Sequence, residues 1–216
     1  MAIVTAVIIA RGGSSRLPGK NMKDFHGNPL VAHKVKQLLA CRSVTNVVVG
    51  SDCDEILSAA RDAGATTVKR APEFCDEKTR SWNEVIADMC GKVDGDVILW
   101  AHCTNPLIHA DTYDRAVSAF MSGDKDSLVS VTRLQSHLWL HGEPFNFDPK
   151  SKVHPVARDL EPVFYQNGGI FIARREDMIS WRYVYNDPLL FEIGAIESSD
   201  IDTPEDFMIA EALYGH

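Results

Sequence analysis

The sequence predicts an α/β protein: a Rossmann-like, mostly parallel sheet with helices on both faces. Three observations carry that expectation. The chain opens on a continuous apolar run, Ile3 to Ala10, of the kind buried on both sides in the middle of a parallel sheet. Further short apolar runs alternate with segments of helical periodicity, and strands joined by helices pair in parallel through right-handed crossovers. The first run also leads straight into a glycine-rich loop, and loops at the carboxyl ends of strands are where open α/β sheets bind ligands.

Taken in order, the elements each have a local reason. After the first loop, Leu30, Val31, Val35, Leu38 and Leu39 recur at helical spacing, and Val44 to Gly50 reads as the second strand. Ser51 and Asp52 are placed to cap a helix carrying Ile56, Leu57 and Ala60, with Gly64 as its left-handed stop. Thr66 to Arg70 is a third, short strand. Ser81-Trp82-Asn83-Glu84 fits a capping box, followed by Trp82, Val85, Ile86, Met89 and Cys90 on one helical face. Asp96 to Ala101 is the next buried strand, then come a helix with Tyr113, Ala116, Val117, Phe120 and Met121 on its stripe and a strand from Ser127 to Thr132. From Arg133 to about Glu161 no helical period persists, and the segment reads as an inserted arm of short strands and loops. His137 and His141 stand four apart there, but Gly142 and Pro144 argue against a helix and so against a metal pair. The sheet resumes through Gln166-Asn167-Gly168-Gly169-Ile170-Phe171-Ile172-Ala173, and a last helix starts at Thr203 and Pro204.

Composition bounds the function. The 216 residues suffice for one sizeable core, read as a single domain 1–216 with the arm 133–161 inserted, and nothing resembles a linker. A net charge of -8 argues against a nucleic-acid partner. No apolar stretch approaches a membrane span and no signal peptide is visible, so a cytoplasmic location is the default expectation. The five cysteines are scattered without a paired spacing, which supports neither a zinc site nor a disulfide framework.

The cations gather instead in the first loop, Ala10-Arg11-Gly12-Gly13-Ser14-Ser15-Arg16-Leu17-Pro18-Gly19-Lys20-Asn21, which holds no acidic residue. Glycine lets the backbone approach a ligand closely, while Arg11, Arg16 and Lys20 offer charge to an anion, with polyphosphate the natural one. The loop is no P-loop, because Lys20 is followed by Asn21 rather than Ser or Thr, and the dinucleotide fingerprint is absent. Near the other end, Asp200 and Asp202 point the same way if extended, and two adjacent carboxylates beside phosphates suit Mg²⁺; solvated acids before a helix cap are the plainer alternative.

The stretch Ala10–Asn21 resembles the signature of the acylneuraminate cytidylyltransferases, approximately ARxGSKxLPxKN. The resemblance extends along the chain. Ser198 to Phe207 nearly repeats the family's IDIDTPEDF, Gln166 to Ala173 its NGAIYI strand, Asp52 stands in its STDD, and Arg70-Ala71-Pro72-Glu73 resembles its RP.EL. Leu99 to Ile108 matches LLQPTSPLR only at Thr104, Pro106 and Leu107, with His102 in place of the glutamine. The resemblance implies a fold of the nucleotide-diphospho-sugar transferase type and a homodimer built by the arm. It also implies transfer of CMP from CTP to the anomeric hydroxyl of a sialic-acid-like 2-keto-3-deoxy sugar acid, with release of pyrophosphate.

On that reading Arg11, Lys20 and Asp202 are the expected catalytic residues. Ala10, Arg11, Gly12, Ser14, Arg16, Lys20, Asn21, Arg70 and Ser81 would bind nucleotide. His102, Thr104, Gln166, Asn167 and Gly168 would face the sugar, although His102 could equally fill a polar niche, and Gln166 and Asn167 could simply flank a turn. Asp200 and Asp202 would hold the Mg²⁺ cofactor. The alternatives are a nucleotidyltransferase of the same fold with another acceptor or nucleotide, and an inactive nucleotide-binding relative.

Overall fold

The apolar opening strand lies inside the sheet, flanked by parallel neighbours on both sides. The structure, a computed structural model, describes residues 2–14, 16–75, 79–180 and 187–215. The first half of the chain runs β1 (Val4–Ile9), β2 (Asp24–Phe25), β3 (Asn28–Pro29), α1 (Leu30–Leu39), β4 (Asn46–Ser51), α2 (Asp54–Asp62), β5 (Thr66–Lys69), α3 (Trp82–Gly91) and β6 (Val97–Ala101). The second half runs α4 (Ala110–Ser122), β7 (Ser127–Leu134), β8 (Trp139–Leu140), β9 (Glu143–Pro144), β10 (Val163–Arg174), α5 (Arg175–Ile179), β11 (Leu189–Glu192) and α6 (Pro204–Leu213).

Among the described residues the main sheet has seven strands in the order β11-β7-β10-β6-β1-β4-β5. β1 is parallel to β4 and β6, β4 to β5, and β7 to β11. β10 alone runs against its neighbours β6 and β7. The sheet is therefore mostly parallel, as the alternation of elements requires. Both faces are covered. Ala6, Ile8, Val97 and Leu99 point into one core with α1, α2, α4 and α6, while Val7, Ile98 and Trp100 point into a second core with α3 and α5. That two-sided burial explains why the strands read as unbroken apolar runs rather than as alternating ones.

The expected capping box forms at α3, and a second one forms at the Thr203 cap of α6. Ser81 Oγ accepts from the Glu84 N–H and the Glu84 carboxylate from the Ser81 N–H; Thr203 and Asp206 do the same for α6. The cap expected for α2 does not form: its N-cap is Cys53, without a side-chain bond. Ser51 Oγ instead accepts from the Cys53 N–H at 3.0 Å, and Asp52 turns to the first loop. Gly64 does take the positive φ, +104°, that ends α2. The predicted stripe residues Leu39, Trp82 and Met121 are exposed, because each lies at an end of its helix, where the buried stripe runs out.

The arm is a small hairpin, β8 to β9, turned by His141 and Gly142 with φ of +52° and +84°, followed by loops. β10 is longer than the predicted strand and carries an irregularity between Gln166 and Phe171. β11 has no counterpart in the sequence-based elements; its four residues are too few to show a period.

Candidate active site

A cleft of about 610 Å³ opens at the carboxyl ends of β1, β5 and β6, and the first loop, the start of α3 and the segment before α6 complete its walls. Its lining includes Ala10, Arg11, Ser14, Arg16, Lys20, Asn21, Arg70, Ser81, His102, Thr104, Asp200 and Asp202. These residues span nearly the whole chain, and the parallel topology gathers them at one edge of the sheet.

The two ends of the chain meet in a charged cluster. Lys20 follows Gly19, whose φ of +66° turns the loop back on itself. Its Nζ donates to the Ile201 carbonyl at 2.6 Å and to Asp202 Oδ1 at 3.3 Å. Arg16 Nη1 stands 3.0 Å from the other oxygen, Asp202 Oδ2. Asp202 is thus clasped by two cations. Asn21 is buried and ties the loop's far end to its start, its Nδ2 donating to the Arg11 carbonyl at 3.0 Å. The Gly12 N–H donates to Asp52 Oδ1 at 2.9 Å, and a Cβ on Gly12 would lie 3.0 Å from that of Cys53. A side chain at this position would crowd Cys53 at β4's exit.

Asp200 opens onto the same cleft. The protein wall around it pushes its carboxyl above the usual carboxylate range; the Thr104 hydroxyl, donating to it, pulls the other way, and the charge of Asp202 adds to the rise. Two neighbouring carboxylates of which one resists ionisation form a donor set suited to a hard cation that completes its shell with phosphate oxygens and water. Among the described residues no group of three or more His, Cys, Asp or Glu is placed to hold a metal without such help.

The wall opposite is built by the end of β5 and the start of α3. Arg70 is buried, its Nη2 donating to the Phe74 carbonyl, while Nε has no partner in the protein. Burial holds its pKa below the usual arginine value. A buried guanidinium N–H without an acceptor is costly, so this residue is held here against a local penalty. Phe74, Cys75, Arg80, Trp82, Val85 and Cys103 also line the cleft. Sequence reading missed these; Trp82 was assigned to the buried face because its spacing fits that face.

The loop after β6 is fastened from three sides. The Ile201 N–H donates to the Thr104 carbonyl at 2.8 Å, Asn105 Nδ2 to the Ser199 carbonyl at 3.2 Å, and the fully buried Lys34 Nζ to the Asn105 carbonyl and to Tyr113 Oη, both at 2.8 Å. Burial lowers Lys34 to about 7. His102, at the head of this loop, is lowered to about 4, by burial first and then by the charges of Lys34 and Lys20. Its ring is neutral across the physiological range.

Gln166, Asn167 and Gly168 stand apart from the cleft lining. Gln166 is exposed on β10. Asn167 is buried, its Oδ1 accepting from Ser130 Oγ at 2.5 Å and from the Gly169 N–H at 3.1 Å, while Nδ2 donates to Thr132 Oγ1 at 2.9 Å. Those bonds hold the irregularity at Gly168, where φ is +75°. Ser15, in the first loop, lies outside the described residues.

A family model described as Cytidylyltransferase matches residues 5–214. The chain is 32% identical over 228 residues to CMP-N,N'-diacetyllegionaminic acid synthase of Legionella pneumophila, covering 97% of this chain and 95% of that protein. It is 27% identical over 216 residues to N-acylneuraminate cytidylyltransferase A of Danio rerio, covering 96% of this chain and 50% of that protein. The chain spans about half the length of the N-acylneuraminate cytidylyltransferases it matches. Among solved structures, CMP:2-keto-3-deoxy-manno-octonic acid synthetase complexed with CTP superposes with a TM-score of 0.71 over 98% of each chain, at 19% identity. The 4-diphosphocytidyl-2C-methyl-D-erythritol synthase from Anaerococcus prevotii gives 0.69 at 10% identity, over 99% of this chain and 96% of that one. These two likenesses establish a shared fold.

Proposed function

The chain belongs to the cytidylyltransferase family, and on that premise we propose that it transfers CMP from CTP to the anomeric hydroxyl of a sialic-acid-like 2-keto-3-deoxy sugar acid, releasing pyrophosphate. The observation that supports this best is the clasp of Arg16 and Lys20 on Asp202, with Asp200 and Ser14 in the same cleft. A polyphosphate and a cation would exchange partners there: phosphate oxygens take the arginine and lysine, and the carboxylates are released for the metal.

Arg11, Ser14, Arg16 and Lys20 would bind the triphosphate, with Lys20 held by the Ile201 carbonyl where charge grows on the leaving pyrophosphate. Such fixed donors act without reorganising as the reaction proceeds. Asp200 and Asp202 would hold Mg²⁺, which when bound supplies neutralising charge at the phosphates and acidifies a coordinated hydroxyl. Ala10, Gly12 and Asn21 shape the loop around the nucleotide, while Arg70, with its unpaired Nε, and Ser81 would meet the nucleoside. Thr104, which donates to Asp200, would face the acceptor, whereas His102 lies against Trp82 toward the nucleoside end; Gln166, Asn167 and Gly168 would reach the sugar only from beyond the cleft lining. The proposed location is the cytoplasm, where CTP is made available; no helix among the described residues is long and apolar enough to cross a membrane.

The test is a panel of CTP, UTP, ATP and GTP crossed with 2-keto-3-deoxy sugar acids, read as pyrophosphate release. CTP should be preferred, and release should require both acceptor and Mg²⁺. Equal or better use of UTP would overturn the nucleotide assignment.

A further inference from the structure

Trp82 is the first residue of α3, inside the Ser81–Glu84 capping box, and that box fixes the backbone from which its indole emerges. The ring is braced from behind by Trp100, buried in β6, edge-on at a centroid distance of 6.1 Å and 77°. On another side it lies nearly parallel to His102, 6.1 Å away at 15°, and His102 in turn meets the edge of Phe171 at 6.2 Å and 67°. Both Trp82 and His102 line the cleft, yet the indole is 40% exposed. A large aromatic surface held rigidly and left open within a cleft is unusual for a side chain at a helix start, where a polar residue would serve the fold as well. The two near-parallel rings are stacked at this wall of the cleft, with Trp82 left open to it. The cations of the first loop and the carboxylates before α6 mark the phosphate end, so Trp82, next to Ser81, stands on the side left for the nucleoside.

We propose that Trp82 and His102 form a stacking wall for the base of the bound nucleotide. This rests on the reading of the cleft as a CTP site. A pyrimidine offers a flat π-face to the wall and a carbonyl oxygen at its rim, and the Arg70 guanidinium belongs to a residue lining the same cleft. Every base has such a face, so the wall supplies affinity, while choice among bases falls to groups at the ring's edge. The neutral state of His102 suits the role, since a charged imidazolium so deep in the wall would hold water against it.

The test is calorimetric titration of the wild type, Trp82→Ala and Trp82→Phe with CTP and, separately, with inorganic tripolyphosphate, which has no base. Unfolding curves verify that each variant is folded. Trp82→Ala should weaken CTP binding by about ten- to a hundredfold, the range covered by one base–aromatic stack. Tripolyphosphate binding should be unchanged, and Trp82→Phe should recover most of the loss. Unchanged CTP affinity in a folded Trp82→Ala would overturn the stacking wall alone. So would equal weakening of CTP and tripolyphosphate, or no recovery with phenylalanine. A wild type that does not bind CTP would overturn the CTP reading of the cleft, and the wall with it.

Discussion

Lys20 is held by two oxygens, the Ile201 carbonyl and Asp202 Oδ1, and its side chain is only 12% exposed. An ammonium so placed gains most when charge builds on a departing pyrophosphate, and it therefore favours the transition state over the ground state. Lys20→Ala should lower kcat by roughly two to three orders of magnitude, the scale of losing one such donor, and move KM for CTP less. A raised KM with kcat untouched would show uniform binding instead. Asp202→Asn should abolish Mg²⁺-dependent turnover while the melting temperature changes little. The Arg16 pair it breaks is exposed, and such pairs are worth about 0–1 kcal/mol, while the more buried Lys20 keeps the Ile201 carbonyl as acceptor. Turnover near wild type at limiting Mg²⁺ would end the metal assignment. At this scale the sequence was informative where chemistry concentrates: the cationic loop and the paired aspartates are dense with unusual residue types. It put Trp82 on the buried face, where the structure leaves it exposed, and was silent on Arg70's missing partner. A tryptophan at helical spacing looks the same in a core as in a cleft, and an unsatisfied N–H exists only once the fold has buried it.

The elements that carry the site are joined through the loop between β6 and α4. Lys34, on α1, reaches its Asn105 carbonyl, and Asn105 and Thr104 hold the segment that ends in Asp200 and Asp202. An unfolded lysine keeps its proton to about pH 10.4, whereas folded Lys34 loses it near 7. Between those values the unfolded chain binds more protons, so this residue makes stability rise with pH. Below about 7 both states are charged and the cost of burying the ammonium is constant. The wild type should therefore gain melting temperature relative to Lys34→Met as pH goes from 7 toward 10. A difference flat across that range would contradict the assignment. Cys103 and Cys41, pushed by burial to about 12, act in the opposite sense above about pH 9, but in both proteins, and so cancel in the comparison. The same variant should lose about tenfold or more in kcat, because a small displacement of positioned groups is expensive. The caps of α3 and α6 were legible, since a capping box is a short-range pattern. The bond from the Gly12 N–H to Asp52 was not, because Asp52 beside a helix start looks like a cap until β1 and β4 are paired.

For the whole molecule, the alternation of strands and helices was enough to give the mostly parallel sheet and its two helical layers. The antiparallel direction of β10 and the edge strand β11 escaped the reading, because a chain returning from a long arm carries no mark of its direction. That arm leaves Trp139, Leu140, Phe145 and Val153 exposed, a cluster that a monomer has no evident reason to keep in water. We propose that it builds a homodimer: replacing Trp139→Ser and Leu140→Ser together should give a monomer by light scattering, and an unchanged oligomer would refute the role of the hairpin. The central claim concerns a bond, that between the α-phosphorus of CTP and an acceptor oxygen. Its most direct measurement is the fate of label in a single incubation with Mg²⁺ and a 2-keto-3-deoxy sugar acid, using CTP labelled at the α- or the γ-phosphorus. The account predicts the α-label in a CMP–sugar conjugate and the γ-label in pyrophosphate, in equal amounts; γ-label appearing as orthophosphate or on the sugar, with no conjugate carrying the α-label, would contradict it.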